Sequence, residues 1–254
     1  MEKVLEVKNL TKIFSDKKKQ KFTAVSHIDF CLYEGECLGI IGESGSGKTT
    51  VANMLARLIE PTEGNIILNG KDITKAKGRT LRNIYRNMQM VFQSPIESFD
   101  PRCTLGDGIA ESLVNNGYSK KEANAVVAKV LKQCGLDENF SKRYPHEVSG
   151  GQCQRAAIAR ALAIEPSILI CDEATSALDV TIQKEIIELL NWLRESRNKK
   201  LSIIFICHDI ALVQDFCDRV LVMHQGEIVE EGQTNNIIRN PQKDYTKKLI
   251  ESVL

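Results

Sequence analysis

Three short segments of this 254-residue chain carry residue types and spacings suited to handling a polyphosphate. Gly42-Glu43-Ser44-Gly45-Ser46-Gly47-Lys48-Thr49 matches the phosphate-loop pattern G-x-x-x-x-G-K-[ST] at every fixed position. Nucleotide phosphates carry several negative charges, and such a loop meets them with backbone. Glycines at 42, 45 and 47 admit conformations and close approaches that a side chain would block. Successive N–H groups, with the N-terminus of the following helix, then cradle the anion. Glu43, Ser44 and Ser46 belong to the same cradle, as does Thr50 just after it. Lys48 is placed to reach the β- and γ-phosphates, and the Thr49 hydroxyl to ligate Mg²⁺.

The second segment, Ile168-Leu169-Ile170-Cys171, is an apolar run ending in Asp172-Glu173. A strand that stops there sets the Asp172 carboxylate at the C-terminal edge of a sheet, beside the loop, where it holds Mg²⁺ directly or through water. Taken alone, the acidic pair equally suits a helix cap. The third segment is Val148-Ser149-Gly150-Gly151-Gln152. Its small residues suit a helix N-terminus that offers N–H groups to phosphate without side-chain bulk.

These segments need a scaffold, and the flanking sequence describes one. Cys37 to Ile41 reads as a strand running straight into the phosphate loop, and Thr49 to Leu58 as the helix after it. Leu5 and Val7 alternate with Glu6 and Lys8, a strand with one wet face. Pro61 and Gly64 mark a turn before the short strand Ile66-Ile67-Leu68. Ile168 to Cys171, Ser202 to Cys207 and Arg219 to Met223 are buried-strand candidates, with a helix around Ile182 to Arg194 between the first two. Apolar runs separated by helices imply a mainly parallel sheet covered on both faces. From Gln93 to Ser149 the chain changes to helical patterning. Ser119 and Glu122 form a capping box; Val126, Val127, Val130, Leu131 and Cys134 share a face, and Gly135 stops the helix. A second helix should begin near Gly151 and end before Pro166. The expected layout is an α/β core over 1–93 and 165–254, interrupted by a helical subdomain at about 94–164.

Composition narrows the partners. With 43% hydrophobic and 26% charged residues the chain is an ordinary globular protein, and its net charge of +1 argues against nucleic-acid binding through bulk electrostatics. Lys17-Lys18-Lys19 with Lys21 reads as a solvated loop. The eight cysteines lack C-x-x-C spacing, and several lie inside apolar runs, as buried thiols do. Reduced thiols suit a cytosolic protein. No signal peptide and no run long enough to span a bilayer is visible, so a membrane role would go through partners.

The three segments in this order resemble the ATP-binding cassette, the motor subunit of ABC transporters, over nearly the whole chain. The resemblance implies a P-loop NTPase (RecA-like) core with an antiparallel β region near the N-terminus and an inserted helical subdomain. It implies ATP and Mg²⁺ as ligands and hydrolysis of ATP as the activity. Glu173 then corresponds to the general base that polarises the attacking water. Gln93, in Met90-Val91-Phe92-Gln93, matches the Q-loop, whose amide touches Mg²⁺ or that water. His208, after Ile203-Ile204-Phe205-Ile206-Cys207, matches the histidine that contacts the γ-phosphate, although a lone histidine after a strand is usually structural. Ser176-Ala177-Leu178-Asp179 matches the D-loop that couples two facing subunits. Phe14 corresponds to the aromatic stacked on adenine, where the family more often has Tyr; a core Phe is the other reading. Ser149, Gly150, Gly151 and Gln152 correspond to the signature that closes over ATP held by a second subunit. Val148 stands where the family usually has Leu.

Two further stretches resemble the importers of oligopeptides, dipeptides and nickel. Ser94-Pro95-Ile96-Glu97-Ser98-Phe99-Asp100-Pro101-Arg102 is similar to their Q-D-P-x-x-S-L-N-P-R run, and Thr175 to Gln183 also looks like theirs. Pro241 with Tyr245-Thr246-Lys247-Lys248-Leu249 is similar to their P-Y-T-x-x-L element. The ending at Leu254, without a cysteine-containing tail, resembles the second cassette of such systems. That group implies a related cassette as partner (or a homodimer in isolation), two membrane permeases, an extracytoplasmic solute-binding protein, and a peripheral place on the cytoplasmic face of the cell membrane. Peptide and nickel stay equally open as solutes. An exporter cassette and a soluble non-transport ABC ATPase are the alternatives.

Overall fold

A computed structural model describes residues 2–15, 20–176, 178–196 and 200–252. Lys17-Lys18-Lys19 and Ala177 fall outside the described residues. In chain order the elements are β1 (Lys3–Ser15), β2 (Lys21–Tyr33), β3 (Cys37–Ile41), α1 (Lys48–Leu55), β4 (Glu63–Leu68), β5 (Lys71–Asp72), α2 (Gly78–Asn87) and β6 (Met88–Val91). There follow α3 (Leu105–Asn115), α4 (Lys120–Gln133), α5 (Gly150–Leu162), β7 (Ile168–Asp172), α6 (Val180–Ser196), β8 (Ser202–Ile206), α7 (Ile210–Phe216), β9 (Arg219–His224), β10 (Glu227–Gln233), α8 (Thr234–Arg239) and α9 (Asp244–Glu251).

The central sheet has the order β10-β9-β3-β8-β7-β6, parallel from β9 through β6, with β10 antiparallel at one edge. All five residues of β3, β7 and β8 are buried. Side chains alternate across a strand, and here both faces find apolar cover. Cys37, Leu169, Cys171, Ile203 and Phe205 enter one core with the helices. Leu38, Ile40, Ile168, Ile170, Ile204 and Ile206 enter a second core with α1 and the other sheet. That other sheet is antiparallel, ordered β2-β1-β4-β5. The chain is therefore a P-loop α/β fold with a mainly parallel sheet, an antiparallel β region and inserted helices.

The inserted helices α3, α4 and α5 pack against one another. The Ser119–Glu122 capping box opens α4 as expected, and Thr104–Asp107 makes another at α3. Val127, Val130, Leu131 and Cys134 are buried on one face of α4, with Val126 half-buried beside them. The helix expected over 49–58 is shorter and ends at Leu55. Arg57 takes φ +56°, its N–H donating to Met54 O and the Leu58 N–H to Asn53 O, at 3.0 and 2.9 Å. This is a Schellman stop with arginine where glycine is usual, so no glycine announces it. Six of the eight cysteines are buried, and burial pushes the thiols of Cys153 and Cys207 up to about 11. Among the described residues no helix is long and apolar enough to cross a membrane.

One side chain fastens the two sheets. Arg219 on β9 donates to Glu36 Oε1 at 2.8 Å and Oε2 at 3.3 Å, to Glu231 on β10, and to the Cys31 carbonyl of β2. Glu36 also accepts from the Tyr33 N–H at 2.8 Å. Removing one member of a well-buried ion pair leaves the other desolvated, at a cost of about 3 kcal/mol. Arg219→Met should therefore lower unfolding stability by about 3 kcal/mol in a urea titration, and adding Glu36→Gln should recover part of it. An unchanged midpoint for Arg219→Met would contradict this fastening.

Candidate active site

β3 ends at Ile41 and the chain turns at once into the phosphate loop. Gly42 (φ +150°) and Gly47 (φ +105°) are obligatory there. A Cβ on Gly42 would lie 2.2 Å from the Met223 carbonyl, and one on Gly47 would lie 2.5 Å from the Ala24 carbonyl. The loop is squeezed between the end of β9 and β2, and Gly47 caps α1. Its waist is fastened by the Gly226 N–H, which donates to the Ser46 carbonyl at 3.0 Å.

Inside this loop Lys48 is buried, 5% exposed. Its ammonium donates to the Gly42 and Glu43 carbonyls, both at 2.8 Å, and to Ser46 Oγ at 3.4 Å. Burial lowers its pKa below the usual lysine value, against the opposing pull of Glu173 and Asp172. β7 brings in those two carboxylates. Asp172 is buried and accepts from Thr49 Oγ1 at 3.2 Å. Burial raises the Asp172 pKa above the usual carboxylate value; the Thr49 hydrogen bond opposes this and the neighbouring Glu173 adds to it.

Glu173 leaves the strand direction with φ +48°, a left-handed conformation that costs a non-glycine residue about 1 kcal/mol. Its N–H is held by the Ile206 carbonyl at 3.0 Å, and its carbonyl by Ser176 Oγ at 3.0 Å. Gln93, two residues beyond β6, donates from Nε2 to Glu173 Oε2 at 2.7 Å and to Ser176 Oγ at 3.4 Å. Four neighbouring strands thus converge: β3 supplies the loop, β7 the acidic pair, β6 the glutamine, and β8 sets Glu173 in register. His208 is exposed just past β8, next to Asp209, which caps α7.

A cleft of about 300 Å³ opens over the loop. Ser44, Gly45, Thr49 and Thr50 line its floor, and Glu173 lies at one wall. At its mouth stand Phe14 and Phe22, cross-strand partners on β1 and β2. Phe14 is 41% exposed and is not a core residue; Lys12 Nζ sits 5.0 Å from its ring centroid. Phe22, 64% exposed, was not singled out from the sequence. Its one signal is the F-x-A spacing, which sets it on the same strand face as Ala24, another lining residue.

The remaining residues lie elsewhere. Ser149 caps α5, its Oγ accepting from the Gln152 N–H at 3.3 Å while Gln152 Oε1 accepts from the Ser149 N–H at 3.0 Å. Ser149 and Gly150 are exposed, and neither lines the cleft. A Cβ on Gly151 would lie 2.7 Å from Ile182 Cγ2, so glycine also lets α5 approach α6. Asp179 accepts from the Ile182 N–H at 3.0 Å, capping α6.

The family profile described as ABC transporter matches residues 25–176. The chain is 41% identical to the dipeptide transport ATP-binding protein DppF of Lactococcus lactis, over 99% of this chain and 81% of that protein. It is 45% identical to the oligopeptide transport ATP-binding protein OppF of Salmonella typhimurium, over 91% of this chain and 69% of that one. The ATP-binding cassette MJ0796, in a dimeric post-hydrolysis state bound to ADP and Pi, superposes with a TM-score of 0.82 at 30% identity, covering 91% of this chain and 98% of that one. With the glycine cradle, the buried lysine and the strand-end acidic pair in the arrangement described above, the chain belongs to the ABC transporter family.

Proposed function

We propose that this chain is the ATP-hydrolysing subunit of a peptide importer, working as one half of a dimer that sandwiches nucleotide. The observation that carries the reading is the gathering of Lys48, Thr49 and Glu173 on one cleft, with Asp172 hydrogen-bonded to Thr49 and Gln93 to Glu173, while Ser149 and Gly150 are exposed and do not line it. The cleft holds the ATP phosphates on loop N–H groups and Lys48, and the base lies against Phe14, with Phe22 beside it. Glu173, oriented by Gln93, accepts the proton of the attacking water. His208 reaches the γ-phosphate from the end of β8.

Thr49 Oγ1 and the Asp172 carboxylate are hard oxygen donors 3.2 Å apart, a pairing that suits Mg²⁺, with the Gln93 amide nearby. Bound there, Mg²⁺ would neutralise charge on the β- and γ-phosphates. Asp172, kept buried, holds its carboxylate in place for that ion. The signature, Ser149 to Gln152, completes the site of a second cassette, and Asp179 couples the two.

In this reading 1–93 and 165–254 form the nucleotide-binding core and 94–164 the helical subdomain. The partners are a related cassette, two membrane permeases and, indirectly, an extracytoplasmic solute-binding protein, which sets the chain on the cytoplasmic face of the membrane. The two relatives named above serve dipeptide and oligopeptide transport, which favours peptide over nickel as solute.

Glu173→Gln should cut steady-state ATP hydrolysis by about 10²-fold or more while ATP still binds and the dimer accumulates. Lys48→Ala should instead weaken ATP binding in calorimetry; normal turnover in the first or normal affinity in the second would falsify these roles. Asp172→Asn removes a carboxylate whose native pKa is raised. The ionised form penalises the fold only above the ordinary carboxylate pKa of 3.8, and stability falls as pH rises through the native value. The variant should therefore melt higher than the parent at neutral pH and alike at low pH, with hydrolysis down about 10²-fold; a lower neutral melting point contradicts the account. Cells lacking this subunit should lose uptake of labelled dipeptide and retain uptake of labelled nickel, and the opposite pattern would reverse the solute assignment.

A further inference from the structure

The element Pro241 with Tyr245 to Leu249 is not used by the chemistry above, yet the fold carries it to the phosphate loop. Tyr245, on α9, accepts a hydrogen bond on its phenol oxygen from the Glu43 N–H at 3.2 Å, across a separation of 202 residues. That N–H belongs to the peptide unit between Gly42 and Glu43. The other end of the same unit is the Gly42 carbonyl, which accepts from Lys48 Nζ at 2.8 Å. A trans peptide points its N–H and C=O in opposite directions, so one side of this plane grips the lysine and the other is gripped by Tyr245.

Everything behind Tyr245 is braced against the same region. Its ring lies on that of His224, centroids 3.9 Å apart and planes at 33°. His224 ends β9, next to the Met223 carbonyl that abuts Gly42. Glu230 on β10 accepts from the Gln242 and Lys243 N–H groups at 2.8 and 3.2 Å, fixing the entry to α9. Thr246, Leu249 and Ile250 are buried beneath it. The β9–β10 unit therefore holds the loop at two points: Gly226 on the Ser46 carbonyl and, through α9, Tyr245 on the Glu43 N–H.

We propose that Tyr245 is a positioning residue of the phosphate loop: by holding the Glu43 N–H it fixes the 42–43 peptide plane and, through the Gly42 carbonyl, the direction of the Lys48 ammonium. The inference rests on Lys48 binding nucleotide phosphate. Tyr245→Phe keeps the ring on His224 and removes only the acceptor. In the full-length chain it should raise the ATP dissociation constant, measured by calorimetry, about three- to tenfold, the worth of one ordinary hydrogen bond. The urea midpoint without nucleotide should fall by less than the drop in affinity accounts for, because water can replace the phenol at the exposed Glu43 N–H. Because the effect runs through Lys48, Tyr245→Phe added to Lys48→Ala should weaken binding no further. Three outcomes overturn the assignment: unchanged affinity in the single variant, an equal loss with and without the lysine, or a loss of nucleotide-free stability that accounts for the weaker binding. Should Lys48→Ala also bind ATP normally, the cradle itself fails; a defective Lys48→Ala beside a normal Tyr245→Phe sinks only the role of Tyr245.

Discussion

An ammonium group buried among carbonyls and carboxylates is the constraint on which this architecture turns. Lys48 cannot be placed at that depth by its own loop, because a free glycine-rich turn would let the charge swing to water. The loop is anchored first where β3 enters it, between β8 and β9, with every residue of the strand buried. The same sheet order puts β7 one strand beyond β8, so that Asp172 stops beside Thr49. Charge that burial makes costly is thereby concentrated at one edge of one sheet. Such tension is typical of sites that must bind a highly charged ligand, and stability is given up for it.

What surrounds the loop can be read as a set of fastenings against that tension. β2 presses on Gly47 through the Ala24 carbonyl, and β9 presses on Gly42 through the Met223 carbonyl. The turn after β9 donates Gly226 N–H to the loop and accepts Ser26 N–H from β2 at 2.9 Å, so both sheets share one hinge point. Arg219, at the opposite end of β9, joins the same two sheets through Glu36 and Cys31. A strand anchored at both ends to both sheets transmits little slack to the loop beside it.

Much of this was legible in the residues, and each exception has its own physical reason. β3, β7 and β8 announced themselves as apolar runs because a doubly covered strand has no polar face to disguise it. The α4 box and the expected loop geometry were local patterns, decided within a few residues. β2 was not, since Asn9 and His27 take positive φ and the β1–β2 register shifts between Val7 and Lys12, breaking the alternation that would betray it. β10 carries four polar residues among seven and is held mainly by pairing to β9. The early end of α1 depended on Arg57 accepting a glycine's conformation. Gln93 on Glu173 and Tyr245 on Glu43 join positions 80 and 202 residues apart, a proximity that only the completed topology creates.

The signature tip illustrates how a local rule and a distant one can fix the same residue. Ser149 and Gln152 satisfy the first turn of α5 reciprocally, as any capping box does. Gly151 answers a second demand, because its bare Cα lets Ile182 of α6 close to contact, and Arg155 Nη2 ties the two helices again through Glu185 at 2.8 Å. α6 is capped by Asp179, only a few residues beyond Glu173. The tip that the proposed dimer offers to a second nucleotide is thus packed on the helix whose first turn Asp179 caps.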